Sequence, residues 1–245
     1  MTYQLKLNEE YNGNIIYKLY SRYFDLYGTG TFEPTRNFEN LELTIDGISV
    51  NINEDVTISS GEHICILNFK TPVNTCENMF NYIDTDYFSN IVKTINVSNL
   101  NLSHANNMSS MFSVVSDSGN MVHYDMYQYF VVEGYENWDT TNIQYMNYTF
   151  SGLVNISSVD LTNWNISNVI GMSEMFYGCN NLNEVKMGGN PSSLEYCNSI
   201  FSYTKTNGTF YYNSLYDYSL IIEQLPSTWT AVPCTLVNGV LVPNN

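Results

Sequence analysis

"WNISNVIGMSEMF", residues 164–176, decides how this chain is read, because the same pattern recurs. Residues 138–150 read "WDTTNIQYMNYTF", so Trp138, Asn142, Ile143, Met146 and Phe150 stand where Trp164, Asn168, Val169, Met172 and Phe176 stand, 26 residues later. "LNLSHANNMSSMF", residues 100–112, keeps the frame with Leu100, Ala105, Met108 and Phe112. Two reduced copies flank these: "CENMF" places Cys76, Met79 and Phe80 in the motif, and "CNSIF" places Cys197, Ile200 and Phe201 there. A catalytic constellation is usually unique in a chain, whereas a packing unit must recur to bury its own faces. The motif is therefore a packing unit, and Met79, Phe80, Met108, Phe112, Met146, Phe150, Met172, Phe176 and Phe201 are expected to form its core.

The motif phenylalanines are separated by 32, 38, 26 and 25 residues. The base period of 25–26 lies within the range of leucine-rich repeats, and the two long intervals read as insertions, centred on residues 81–90 and 113–129. A second register agrees. Ile156, Val159 and Leu161 recur as Leu182, Val185 and Met187, and Val92, Ile95 and Val97 repeat the spacing upstream. In this L-x-x-L-x-L pattern the last two apolar residues share one face of a short strand. In the remaining copy Phe130 and Tyr135 fit but Glu133 falls on the middle position, which calls for a one-residue shift to Val131 or Val132 or for an irregular repeat.

With "WNISNVIGMSEMFYGCNNL" (164–182) in view, the chain resembles the BspA-like leucine-rich-repeat surface proteins of bacteria, over roughly residues 71–232. Their repeats carry the pattern W-[DN]-x-S-N-V-x-x-M-x-x-M-F-x-x-C-x-x-L, and members often close with a segment like "TFYYNSLYDYSLIIEQLPSTWTAVP" (209–233). The resemblance implies a solenoid used for surface recognition or adhesion. It implies no catalysis and transfers no fixed binding residues.

The expected fold is a β-rich leucine-rich-repeat solenoid of about five repeats over residues 71–245, ending in a helix and hairpin cap at about 209–245. Ahead of it, residues 1–70 read as a small antiparallel β domain with a docking arm. "LELTIDGISVNI" and "VTISSGEHICILNF" alternate apolar and polar residues around Asp46-Gly47 and Ser60-Gly61, both hairpin-type dipeptides. "IIYKLYSRYFDLYG" is too densely apolar for a surface helix and suits a strand or an arm, broken afterwards by Gly28, Gly30 and Pro34. Near the other end, Tyr218, Ile221, Ile222 and Leu225 fall at helical spacing before Pro226, and "CTLVNGVLVP" places Asn238-Gly239 at a hairpin turn.

Composition narrows the function. A content of 44% hydrophobic and 15% aromatic residues is enough to order a core. A net charge of −16 with only 8 basic residues argues against nucleic acid and anionic membrane surfaces, since neutralising phosphates takes clustered Lys and Arg. No apolar run is long enough to span a bilayer, so no membrane insertion is expected. The five cysteines, Cys65, Cys76, Cys179, Cys197 and Cys234, form no C-x-x-C pair, and three sit at repeat positions suited to a small buried residue.

Chemistry-bearing patterns are sparse. His63, His104 and His123 lack ligand spacing, and "YGTGTFEP" (27–34) lacks the strand and helix context of a phosphate cradle. Asp84 and Asp86 lack the remaining ligands of a calcium loop. No G-x-S-x-G motif occurs and no carboxylate pair stands out, so neither an enzyme nor a cofactor is expected. Asparagines recur at turn positions, where their side chains can bond unpaired backbone groups, and the N-x-S/T sequons follow from that. The 21 tyrosines are the functional hint. Tyr124, Tyr127 and Tyr129, in the inserted loop, are the candidate binding residues, read either as a recognition surface or as ordinary solenoid edge residues.

The expectation is a non-enzymatic protein that displays a binding surface. "MTYQLKLNEEYNGNIIYKLY" is not a secretory signal, which favours the exterior of a phage virion, with other virion proteins held through the N-terminal segment. The alternative is a secreted bacterial surface adhesin that binds a host protein or glycan. A homo-oligomer is open in either setting.

Overall fold

A chain that repeats one short turn and one short strand must satisfy the same backbone donors in every layer, and stacking the layers does so. The computed structural model describes the backbone of residues 2–5, 12–21, 30–34, 41–50, 56–58, 61–70, 75–77, 92–113 and 131–244. Side chains are described for 44–49, 75–77, 96–98, 100–113 and 131–244.

The N-terminal strands are β1 (Thr2–Leu5), β2 (Asn12–Ser21), β3 (Gly30–Pro34), β4 (Leu41–Ile45), β5 (Ile48–Val50), β6 (Val56–Ile58) and β7 (Gly61–Lys70). The repeats contribute β8 (Val92–Leu100), β9 (Val131–Glu133), β10 (Ser158–Leu161), β11 (Glu184–Met187) and β12 (Gly208–Asn213). A single helical turn, α1 (Ser219–Ile222), and the strands β13 (Trp229–Val237) and β14 (Val240–Pro243) follow. The described chain is thus β-rich with almost no helix, and its repeat part is a solenoid of parallel strands. Three sheets result, ordered β1-β3-β6, β5-β4-β7-β2-β8-β9 and β10-β11-β12-β13-β14.

Several local readings need revision. Asp46-Gly47, at φ 51° and 80°, does turn β4 into β5. Ser60-Gly61 does not make a hairpin: β6 pairs with β3 while β7 pairs with β2 and β4, so strands adjacent in sequence belong to different sheets. Gly30 and Pro34 come after β2 has ended and bound a further strand, β3, which β1 on one side and β6 on the other share. β2 is antiparallel to both β7 and β8, so the strand that opens the repeats is shared with the N-terminal strands. At the irregular copy the shift settles on Val132, which is buried between exposed Val131 and Glu133. The predicted helix is one turn rather than two. Tyr218 and Ile221 are buried, Ile222 and Leu225 only partly, because the segment turns away towards β13. Asn238-Gly239, at φ 50° and 78°, turns β13 into β14 with Val237 opposite Val240.

In register, Val159, Val185 and Phe210 follow one another across the sheet, all buried. Opposite the sheet, the M-x-x-M-F turns form a second ladder, joined by bridges Asn107–Tyr145, Tyr145–Gly171 and Gly171–Tyr196. Alternate N–H groups of each turn donate to the next layer: Met146 to Gly171, Tyr148 to Ser173, Phe150 to Met175 and Gly152 to Tyr177, at 2.7–3.0 Å. Met172, Glu174, Phe176 and Gly178 repeat this onto Tyr196, Asn198, Ile200 and Ser202. Cys76, at the same motif position as Met108, donates to Asn107 at 2.7 Å and so begins the ladder. Aiming alternate donors one way while the chain turns requires left-handed residues at fixed places. Ser110, Tyr148, Glu174 and Ser199, each two before the motif phenylalanine, have φ of 55–57°. For non-glycine residues this costs about 1–2 kcal/mol each, offset here by the ladder bonds.

Between sheet and turns lies the aromatic column. Phe112, Phe150, Phe176 and Phe201 stack with centroids 5.7, 6.0 and 5.7 Å apart and interplanar angles of 14°, 6° and 21°. Met108, Met146 and Met172 are buried beside them. Met79 and Phe80 lie outside the described residues. Each tryptophan Nε1–H donates to a carbonyl of the layer before: Trp138 to Val97 at 2.9 Å, Trp164 to Tyr135 at 2.8 Å and Trp229 to Lys205 at 2.8 Å. A buried indole that left this N–H unpaired would bear its desolvation cost uncompensated, so the bond fixes which layer each ring faces.

The asparagines work in two ways. Asn142, Asn168 and Asn181 donate through Nδ2 to Ser103, Thr141 and Val154 carbonyls of the preceding layer. Asn96, Asn101, Asn107 and Asn165 instead accept, through Oδ1, the N–H two residues on, and Asp139, Asp160 and Asp217 do the same. The N-x-S sequons at Asn96, Asn101, Asn107 and Asn165 are therefore Asx turns, with Ser98 and Ser167 hydroxyls also donating to the same oxygen.

Candidate recognition surface

Among the described residues the stack spends its buried polar groups on itself, and the side chains it offers to a partner stand on the two outer faces. On the sheet face, Asp160, Lys186 and Tyr211 lie in one row across β10, β11 and β12, with Ser158, Glu184 and Thr209 in the next. Lys186 Nζ stands 3.1 Å from Glu184, 4.0 Å from Asp160 and 5.9 Å from the centre of the Tyr211 ring. The bond to Glu184 is the main reason its ammonium is held above the usual lysine range. One cation thus serves two carboxylates and an aromatic face, which leaves this group with one negative charge in excess.

The turn face is aromatic. Tyr148, at a left-handed position, donates its hydroxyl to Glu174 Oε1 at 2.7 Å, the residue at the same position one layer on. Burial, together with that bond, pushes the Tyr148 phenol up to about 12, so it stays a donor at neutral pH. Tyr177 meets Tyr203 edge to face at 5.0 Å. Tyr196 lies over Gly171, where an added Cβ would stand 2.4 Å from its ring. The last layer departs from the two before it. Two residues after the motif phenylalanine, Gly152 and Gly178 supply φ of 79° and 73°, whereas Tyr203 is held at φ 60° and is 66% exposed. A tyrosine there costs about 1–2 kcal/mol that a glycine would not. Beside it a recess of about 320 Å³ opens, lined by Tyr203, Lys205 and Thr206 on one side and Gln224, Pro226 and Thr228 on the other.

The sequence-predicted binding residues Tyr124, Tyr127 and Tyr129 lie outside the described residues, as do both inserted loops apart from Ser113, which is buried. His63, His123, Asp84 and Asp86 fall there too as far as side chains are concerned, while His104 is exposed. Sequence reasoning passed over the turn-face tyrosines because each sits in a different copy. Among the described residues no group of three His, Cys, Asp or Glu side chains could hold a metal ion. No helix among them is long and apolar enough to cross a membrane. Cys76, Cys179, Cys197 and Cys234 are buried free thiols. Burial pushes Cys179 up to about 12 and Cys197 to about 11, and raises Cys76 further, so these sulfurs stay protonated packing groups. Cys179 Sγ donates to the Phe150 carbonyl at 3.1 Å, one more bond between layers.

No curated protein and no solved structure matches the chain. A family model described as "Mycoplasma protein of unknown function, DUF285" matches residues 74–211. That span begins beside Cys76, takes in every M-x-x-M-F turn of the ladder and ends in β12. Since the match covers more than half of the 245 residues, the chain belongs to this DUF285 family.

Proposed function

We propose that the chain is a non-enzymatic recognition protein, a BspA-like leucine-rich-repeat solenoid displayed on the outside of a particle or cell. The observation that carries this reading is the turn face. Tyr148, Glu174, Tyr177 and Tyr203 are set at successive layers on a stack whose interior bonds fix their spacing. Rigid aromatic side chains give contact area at low entropic cost, and a layered backbone presents them without further ordering. The 25–26-residue period, with two inward apolar residues per strand, supports the leucine-rich-repeat reading. Residues 1–70 would form the domain that attaches the solenoid to its carrier, although β2 itself is paired on both edges within the chain. The turn α1 and the β13–β14 hairpin would close the far end as the cap that a stack of repeats needs.

Two settings accord with such a surface, a phage virion and a bacterial cell exterior. The second is favoured by the family description, which names a bacterium. Immunogold labelling with an antibody to the repeats separates them, and an absence of label on any exterior surface overturns display. Recognition is tested by replacing Tyr148, Tyr177 and Tyr203 together with serine. The variant should keep its far-ultraviolet spectrum while attachment to the host surface falls at least tenfold. Unchanged attachment removes the turn face from the reading.

A further inference from the structure

We infer that Tyr203 and the recess beside it form a saccharide subsite for one pyranose unit carrying a carboxylate. The inference rests on the recognition reading above and gives its ligand a chemical class. Three observations converge on this place. Tyr203 occupies a left-handed position that the two preceding layers give to Gly152 and Gly178. Ser110, Tyr148, Glu174 and Ser199 are left-handed too, at the place that aims the ladder donors, whereas Tyr203 stands where the two layers before it have glycine, and a cost met there marks a place open to a use besides folding. The ring is 66% exposed and set edge to face against Tyr177, which fixes its orientation. The adjoining recess of about 320 Å³ is at the small end of ligand sites and has room for one sugar unit.

The lining selects within that class. The C–H face of a pyranose stacks on an exposed tyrosine ring, and sugar hydroxyls match the hydroxyl of Thr228 and the amide of Gln224. The Gln224 oxygen already accepts the Ser199 N–H at 3.2 Å, which leaves its amide N–H groups as donors. Lys205 is one of only 8 basic residues in the chain and the only one lining the recess, so it favours a carboxylate on the sugar. A long polyanion is disfavoured by the net charge of −16 of the whole chain.

Saturation-transfer NMR on the full chain, with methyl glucuronide and methyl glucoside as probes, tests the subsite. Both sugars should receive saturation, the glucuronide binding about fivefold tighter, and Lys205→Ala should abolish that difference. Tyr203→Gly should weaken both at least tenfold while leaving the melting midpoint unchanged or higher, because glycine suits φ 60° and the lost ring is mostly exposed. Transfer to neither sugar overturns the subsite, as does undiminished binding by Tyr203→Gly. A melting midpoint several degrees lower in Tyr203→Gly shows that the ring is there for the fold and overturns it too. If host attachment survives while no saccharide binds, the subsite falls and the recognition reading stands.

Discussion

The two sides of the solenoid keep their register differently. On the sheet side the parallel ladder is interrupted: β9 pairs with β8 and β10 with β11, and the strands fall into separate sheets. On the turn side the ladder runs through the same interval without a break, from Asn107 to Tyr145 to Gly171 to Tyr196. The turn side spans even the long interval between Phe112 and Phe150 with rings still 5.7 Å apart. Register is therefore held by the turns and their aromatic column, and the strands follow. An insertion placed after Phe112 lengthens the path to the next strand while leaving the next turn in place.

The largest test of that contrast compares Phe176→Ala with Val132→Ala. Phe176 is fully buried between Phe150 and Phe201, so its loss should cost roughly 3–5 kcal/mol. Val132, on the strand beside the interruption, should cost less than half as much. Chemical denaturation that ranks the two equally would break the comparison. Next in size is Gly188→Ala, since an added Cβ would stand 2.3 Å from the Thr162 carbonyl oxygen, a backbone atom that cannot swing aside. Overpacking of this kind should cost about 1–3 kcal/mol. Gly171→Ala, whose added Cβ would meet first the exposed and movable Tyr196 ring, should cost less, and thermal melts of the pair decide it.

A smaller effect is expected at Asn168, whose Nδ2 donates to the Thr141 carbonyl at 2.7 Å. Asn168→Ala should lose about 1 kcal/mol, and Asn168→Asp, which cannot donate, should do no better. Rescue by aspartate would show that the position needs only polarity. Smallest is the acid dependence at Asp139. Its carboxylate accepts from the Thr141 side chain and N–H, which holds it below the ordinary aspartate value. The bond therefore contributes above the unfolded-state value and is lost as pH falls through the folded one. Asp139→Asn keeps an acceptor that does not titrate, so wild type should be the more stable at about pH 5 and lose that margin at about pH 2. Because the group is almost fully exposed, solvent screening keeps the margin small.

The period, the inward valines and the stacking phenylalanines could be read from the sequence because each is a property of one position repeated at a fixed interval. What could not be read is what depends on a partner in another layer. The Trp164 indole bond to Tyr135 and the Tyr148 bond to Glu174 require knowing which atoms face each other once the layers stack. The pairing of β6 with β3 rather than β7 is likewise a long-range choice that alternation of polar and apolar residues leaves open. The turn-face site was hidden because the expectation sought tyrosines dense in one loop, at Tyr124, Tyr127 and Tyr129, whereas Tyr148, Tyr177 and Tyr203 come from three copies.

Each layer gives its turn donors to the next layer in the same way, and the interface between Met146–Gly152 and the layer after it is nearly that between Met172–Gly178 and its successor. An in-frame gain or loss of one 26-residue unit would therefore present both neighbours with the turn-side bonds they already make. The length of the stack becomes an inheritable quantity, adjustable by unequal recombination within a gene while the first and last layers stay as they are.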